Sequence, residues 1–233
     1  MGLAVAAAIT TALALCGLAV LLARAADWRH AALAFAIALP LQPLVFYLVR
    51  LPIDGLLRTT FGISGWVVLV SLLYAPLTEE PAKWLTAAVP AVRKAIMADP
   101  VTIALAVGIG FGIGEIWFLA RALIMAPNYP DAPFWMFGGF MFERLEVVFL
   151  HGAFVALPFV QWARGRSFAL AGVAAMLLHF LLNFPIYLAQ IDAFGLGRET
   201  WVSVLLLWVM GFVAACAIMV AELARRVRVS KAA

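Results

Sequence analysis

The chain has 233 residues, of which 67% are hydrophobic and only 12% charged, with a mean hydropathy of +1.08. Soluble domains carry about 25% charged residues, so the composition excludes an ordinary soluble domain and describes an integral protein whose first partner is a lipid bilayer. The net charge of +4 is spread over many short stretches, which argues orientation in a membrane and against nucleic-acid binding.

Seven apolar runs are long enough to cross, at about 20 residues or more each: 3–23, 31–50, 63–92, 100–125, 134–163, 167–190 and 200–223. The first lacks a basic leader and reads as a retained helix, not a cleaved signal peptide. The third contains Pro76 and Pro81, which predicts a kink or a break beside its acidic pair. Short loops are expected at 24–30, 51–62, 93–99, 126–133, 164–166 and 191–199. Cys16 and Cys216 fall inside apolar runs and are expected to pack as small hydrophobes. No linker, low-complexity stretch or internal repeat divides the chain. The expected fold is therefore all-α, one polytopic helix bundle over 1–233 of about seven transmembrane helices.

Basic residues orient it. Alternate loops and the C-terminus hold Arg24, Arg29, Arg93, Lys94, Arg164, Arg166, Arg225, Arg226, Arg228 and Lys231, against Arg50, Arg58 and Arg198 in the opposite set. That asymmetry predicts an N-terminus outside and a C-terminus in the cytoplasm.

Several ionisable residues lie within the spans themselves: Glu79, Glu80, Lys83, Glu115, Arg121, Glu143, Arg144, Glu146, His151 and His179. An intramembrane charge costs roughly 2.5–3.5 kcal/mol on insertion scales. At 1.5 Å per residue from each outer end, Glu79, Glu80 and His151 fall roughly 24–26 Å down, and Glu115 and His179 about 15–17 Å. Four helices thus bring charged or titratable groups to a middle layer, whereas structural charges usually sit near helix ends where they snorkel.

Lys83 is four residues from Glu79 and three from Glu80, so it can pair with either on one helix face. The second carboxylate is then left over, and one of the pair is expected to hold a proton, as a general acid or base does. Gly108/Gly112 and Gly110/Gly114 are small-xxx-small pairs that admit a close neighbour, expected to be the third span. They would press Glu115 against it, unless Arg121 or Arg144 claims that carboxylate. Glu143, Arg144 and Glu146 read as a structural salt-bridge cluster. His151 has no local partner, and its depth points to a site role. His179 and Asn183 share a face one turn apart and offer hydrogen-bond donors to an oxyanion, with Pro185 loosening the helix beyond them.

Taken in order, Glu79-Glu80-x-x-Lys83, Phe111-x-x-x-Glu115, His151 and His179-x-x-x-Asn183 resemble the motif series of PrsW-type intramembrane proteases. These belong to the wider superfamily of CAAX prenyl proteases and bacteriocin-processing enzymes. The resemblance covers about 63–190, leaving 3–50 and 200–223 as flanking helices. The chain differs from the PrsW-type pattern in having Asn183 for Asp, and from the CAAX-type pattern in having Lys83 for Arg and Glu115 for His. The resemblance implies intramembrane peptide hydrolysis by glutamate-activated water. Glu79 would be the base, Glu80 and Lys83 would tune it, and His151 would orient or relay. His179 and Asn183 would hold the oxyanion. It further implies a single-pass membrane protein or a lipidated peptide as substrate, and a location in a bacterial-type inner membrane. No cofactor is required in that reading.

Two alternatives stay open. Glu79, Glu80, Glu115, His151 and His179 are all acceptable zinc ligands by type, so a metal-dependent intramembrane protease is conceivable. Membrane Glu and His chains also mark proton or cation pathways, so a coupled transporter is the rival from another class. Gly62-Ile63-Ser64-Gly65 and Gly112-Ile113-Gly114-Glu115 touch rhomboid-like and presenilin-like patterns without their partner residues, and no His-Glu-x-x-His exists.

Overall fold

The computed structural model describes residues 1–125 and 132–232, with side chains as far as Val229. Most of the expected 126–133 loop and the side chain of Lys231 lie outside the described residues. Within them the chain is 91% helical with no strand, as an apolar chain confined to a bilayer must be if its backbone bonds are to close internally. The helices are α1 (Gly2–Arg24), α2 (Trp28–Val45), α3 (Leu51–Phe61), α4 (Gly65–Trp84), α5 (Pro90–Ala98), α6 (Pro100–Ile124), α7 (Gly138–Ala163), α8 (Phe168–Gln190) and α9 (Gly197–Ala232). Among the described residues six segments are long and apolar enough to cross a membrane: Gly2–Arg24, Trp28–Phe61, Pro100–Ile124, Phe134–Ala163, Phe168–Gln190 and Gly197–Val229. The 20-residue α4 falls short of that hydropathy because it carries Glu79, Glu80, Lys83 and two prolines.

Three boundaries differ from the sequence expectation, each for a local reason. The 51–62 stretch is helical, not a loop. Pro52 brings no N–H to the ladder, and a wide turn at Phe46–Arg50 absorbs the mismatch, with the Leu51 N–H reaching back five residues to Phe46. The third run is not broken beside the Glu pair, since α4 continues through Pro76 and Pro81 as one helix. It ends after Trp84, and extended Val89 precedes Pro90, where proline disfavours helical backbone at the residue before it. The 93–99 loop is the amphipathic α5, with Val92, Ala95 and Ile96 buried and Arg93 and Lys94 exposed.

The most buried helix is α6, and its glycines explain why. A Cβ on Gly108 would lie 2.1 Å from the Gly152 nitrogen of α7, and one on Gly112 would lie 2.9 Å from the Val148 Cα. On the opposite face a Cβ on Gly110 would meet the Phe35 carbonyl at 2.4 Å, and one on Gly114 the Leu39 carbonyl at 2.6 Å. Two backbones therefore press α6 from two sides, α7 and α2. The third span, expected here from sequence, is not the neighbour these glycines admit. Instead α4 packs on α8, where Gly172 accepts the Trp84 ring. Cys216 is buried as expected, in a cluster with Phe154 and Leu182. Cys16 is exposed on the outer face of α1, where an apolar bilayer serves as well as a core.

Because backbone cannot retreat as a flexible side chain can, Gly108→Ala and Gly110→Ala are each expected to destabilise by about 1–3 kcal/mol or more. Gly17→Ala, with open space around it, is the neutral control. Thermal unfolding of the three variants in detergent is the measurement.

Candidate active site

The ionisable residues converge. Lys83, which has no exposed surface, donates to Glu80 Oε1 at 2.5 Å and to His151 Nδ1 of α7 at 2.8 Å. An ammonium can only donate, so Nδ1 is the acceptor and the His151 proton sits on Nε2. That Nε2 donates to Glu115 Oε2 of α6 at 2.7 Å. Glu115 Oε1 in turn lies 3.1 Å from Arg144 of α7, and Arg144 also binds its neighbour Glu143. On the other side of Lys83, Glu80 Oε1 accepts from His179 Nδ1 of α8 at 2.7 Å. This leaves His179 Nε2 directed at Glu79 Oε2, 3.9 Å away.

Aromatic rings close the apolar side. Lys83 Nζ sits 4.9 Å from the centroid of Phe111. Phe111 meets His151 edge-on at 5.1 Å, and Phe154 stacks on His179 at 5.6 Å. A cation over a ring face gains electrostatically when desolvated, which helps hold an ammonium in so dry a place.

A cavity of about 560 Å³ reaches this network from the side of the 51–63 segment. Glu79, Glu115, Arg144, His151, His179 and Asn183 line it, whereas Glu80 and Lys83 do not. Glu79 and the open nitrogen of His179 are thus the two groups best placed to touch a water or a substrate there. Asn183 lines the same cavity, and its amide makes no side-chain hydrogen bond among the described residues.

All seven residues singled out from sequence, Glu79, Glu80, Lys83, Glu115, His151, His179 and Asn183, therefore lie in the network or face its cavity. The electrostatics differ from the expectation. Glu79 is not a surplus charge, because Arg50 binds it; so the argument that one glutamate must hold a proton no longer follows. Arg50 belongs to the wide turn between α2 and α3, lines the cavity, and has its guanidinium carbon 4.9 Å from the Phe46 ring centroid. Its carbonyl accepts from the Tyr74 hydroxyl at 3.2 Å, and one turn on Asp54 accepts from Ser71 at 2.7 Å. Both bonds tie this segment to α4. From sequence Arg50 is only a basic residue at the end of its span; Pro52, at home in the first turn of a following helix, was the available signal that the chain stays helical there. Glu115 takes Arg144 as its partner, and the Glu143–Arg144 cluster is an outer wall of the site.

Metal ligation meets a physical obstacle in this donor set. The Lys83 ammonium stands between Glu80 and His151, both nitrogens of His151 are engaged, and both oxygens of Glu115 face donors. Among the described residues no group of three or more His, Cys, Asp or Glu side chains is disposed to hold a metal ion. Glu79 and His179 keep lone pairs open to the cavity, one ligand fewer than the three of catalytic zinc sites.

Comparison with family models, with curated proteins and with solved structures found no match to this chain.

Removing one partner from a fully buried ion pair costs about 3–5 kcal/mol, since the other charge is left bare. Lys83→Ala is expected to destabilise by that amount, whereas Arg50→Ala costs less because cavity water reaches Glu79. Chemical denaturation in mixed micelles measures both, and equal losses would contradict the burial difference.

Proposed function

We propose that this chain is an intramembrane endopeptidase that hydrolyses a peptide bond of a membrane-embedded substrate with water activated by Glu79. The observation that carries the reading is the Glu79–His179 pair, 3.9 Å apart, facing a cavity whose wall mixes apolar side chains with polar and charged ones. In this scheme the Glu79 carboxylate takes a proton from water while the water oxygen bonds to the scissile carbonyl carbon. The same proton passes to the leaving nitrogen as the C–N bond breaks. His179, with its Nδ1 proton committed to Glu80, presents Nε2 as an acceptor and orients the water. The oxyanion role assigned to His179 from sequence therefore passes to the Asn183 amide. Glu80, Lys83, His151 and Glu115 position these groups and touch no substrate. The resemblance to PrsW-type proteases points the same way and suggests a single-pass membrane protein as substrate.

The topology that goes with this reading has seven spans, α4 being the seventh, with the N-terminus outside and the C-terminus in the cytoplasm of a bacterial-type inner membrane. At 20 residues α4 is about 30 Å long, and its low hydropathy is that of its site residues. The contacts between helix ends support that alternation. Gly2 packs on Ala132 and Phe134, and Gly65 lies near Tyr187 and Ile191. Leu18, Val92, Phe159 and Leu223 share one cluster at the opposite end. Two of the three basic residues counted on the outer side, Arg50 and Arg58, line the cavity, which sharpens the positive-inside asymmetry.

In proteoliposomes containing single-pass substrates, Glu79→Gln should lower cleavage by about 10²–10⁴-fold. Asn183→Ala should lower it by about 10²–10³-fold, the usual loss for one oxyanion donor. Chelators should leave the wild-type rate unchanged. Ion or proton flux without cleavage would replace this reading by transport. Cysteine labels at Ile63 and Phe194 should react from outside and one at Gly165 only after permeabilisation.

A further inference from the structure

A second concavity, of about 390 Å³, lies on the outside of the bundle between α2 and α6. The two backbones come close at Gly110 and Gly114, and Tyr47 and Trp117 line the groove alongside. The rings of Pro40 and Pro43 form one bank of the groove, Trp117 the other, and among the described residues Arg121 is the one charge that lines it. Tyr47 and Trp117 are both open to the surroundings, 43% and 45% exposed, so the groove is an outward-facing surface and not part of the core.

Arg121 is the observation without an internal explanation. It sits one turn beyond Trp117, near the end of α6 at Ile124, and is exposed. Glu115, the carboxylate it was expected to claim, is held by Arg144 and His151. Among the described residues Arg121 has no ion pair or side-chain hydrogen bond. A guanidinium bordering the hydrocarbon is stable only where an anion or water meets it, and its planar fork matches a phosphate. An apolar trough of this size, within the ~300–1,000 Å³ range of small-molecule sites, with one cation at the headgroup end, is complementary to a single class of bilayer component.

We propose that this groove holds an acyl chain of an anionic glycerophospholipid whose phosphate rests on Arg121, with Trp117 and Tyr47 at the interfacial level where aromatic residues gather. The site is separate from the polar cavity, yet the two share a wall. Phe118 lines both, and its ring packs on Phe46 and Tyr47 at centroid distances of 3.8 and 5.6 Å. A bound chain would back that wall from outside.

The test uses full-length protein in phosphatidylcholine nanodiscs with a trace of phosphatidylglycerol carrying a photoactivatable group on one acyl chain. Labelled peptides are then mapped, and the same chain on a phosphatidylcholine probe is the reference. The phosphatidylglycerol probe should label 39–47 and 113–121 about fivefold more than the reference, the effect of one cation near the headgroups. The preference should vanish in Arg121→Gln and persist in Arg121→Lys. Equal labelling by both probes in the wild type, an undiminished preference in Arg121→Gln, or cross-linking of the groove to a second copy of the chain would each overturn the proposal.

Discussion

One buried ammonium ties this bundle together. Lys83 bridges Glu80 on its own helix to His151 of α7, and through those two groups it reaches His179 of α8 and Glu115 of α6. An ammonium stripped of water needs acceptors, and here α4 and α7 supply them through Glu80 and His151, which α8 and α6 hold in place in turn. Buried ion pairs are poor evidence of net stability, because desolvation consumes most of their attraction. Their effect is on geometry, since any slip of α4 against α7 would strand a charge in a medium without water.

The small residues of α6 make that network reachable. Gly108 and Gly112 let α7 approach to backbone contact, which brings His151 and Glu115 to 2.7 Å. Gly110 and Gly114 do the same for α2, whose continuation delivers Arg50 to Glu79. Cβ atoms at those four positions would push α7 and α2 away and take the His151–Glu115 and Arg50–Glu79 contacts out of range. Packing and electrostatics are therefore one design problem in this molecule, because close backbones are what allow short side chains to meet.

The polar network also divides into a fixed part and an open part. Glu80 and Lys83 are sealed from the cavity, and both ring nitrogens of His151 are committed. Glu79, the free nitrogen of His179 and the Asn183 amide face open space. This division gives physical content to the distinction between residues that position and residues that touch. A resident ammonium also provides positive charge at the centre of the cluster.

The apolar runs, the membrane class and the mid-span ionisable residues were legible in the sequence because hydropathy and helical rise are local properties. Span ends were legible only to within a turn or two, since Pro52 and Pro90 are compatible with both a helix stop and a helix start. Partners on the same helix, Lys83–Glu80 and Arg144–Glu143, were legible from their spacing, and Arg144 was one of two cations offered to Glu115, but most partners on other helices were not. Arg50 and Glu79 are 29 positions apart and Glu115 and His151 are 36 apart. Nothing in either local pattern says which helices will touch. Glycines on α6 announced a close approach, yet both of their faces looked alike, and only the packed bundle decided that α7 and α2 would fill them. The tertiary structure thereby turned Glu79 from an unpaired charge into one held by Arg50, because the cation that neutralises it sits at the point where the sequence pattern ended a span and the chain in fact stays helical.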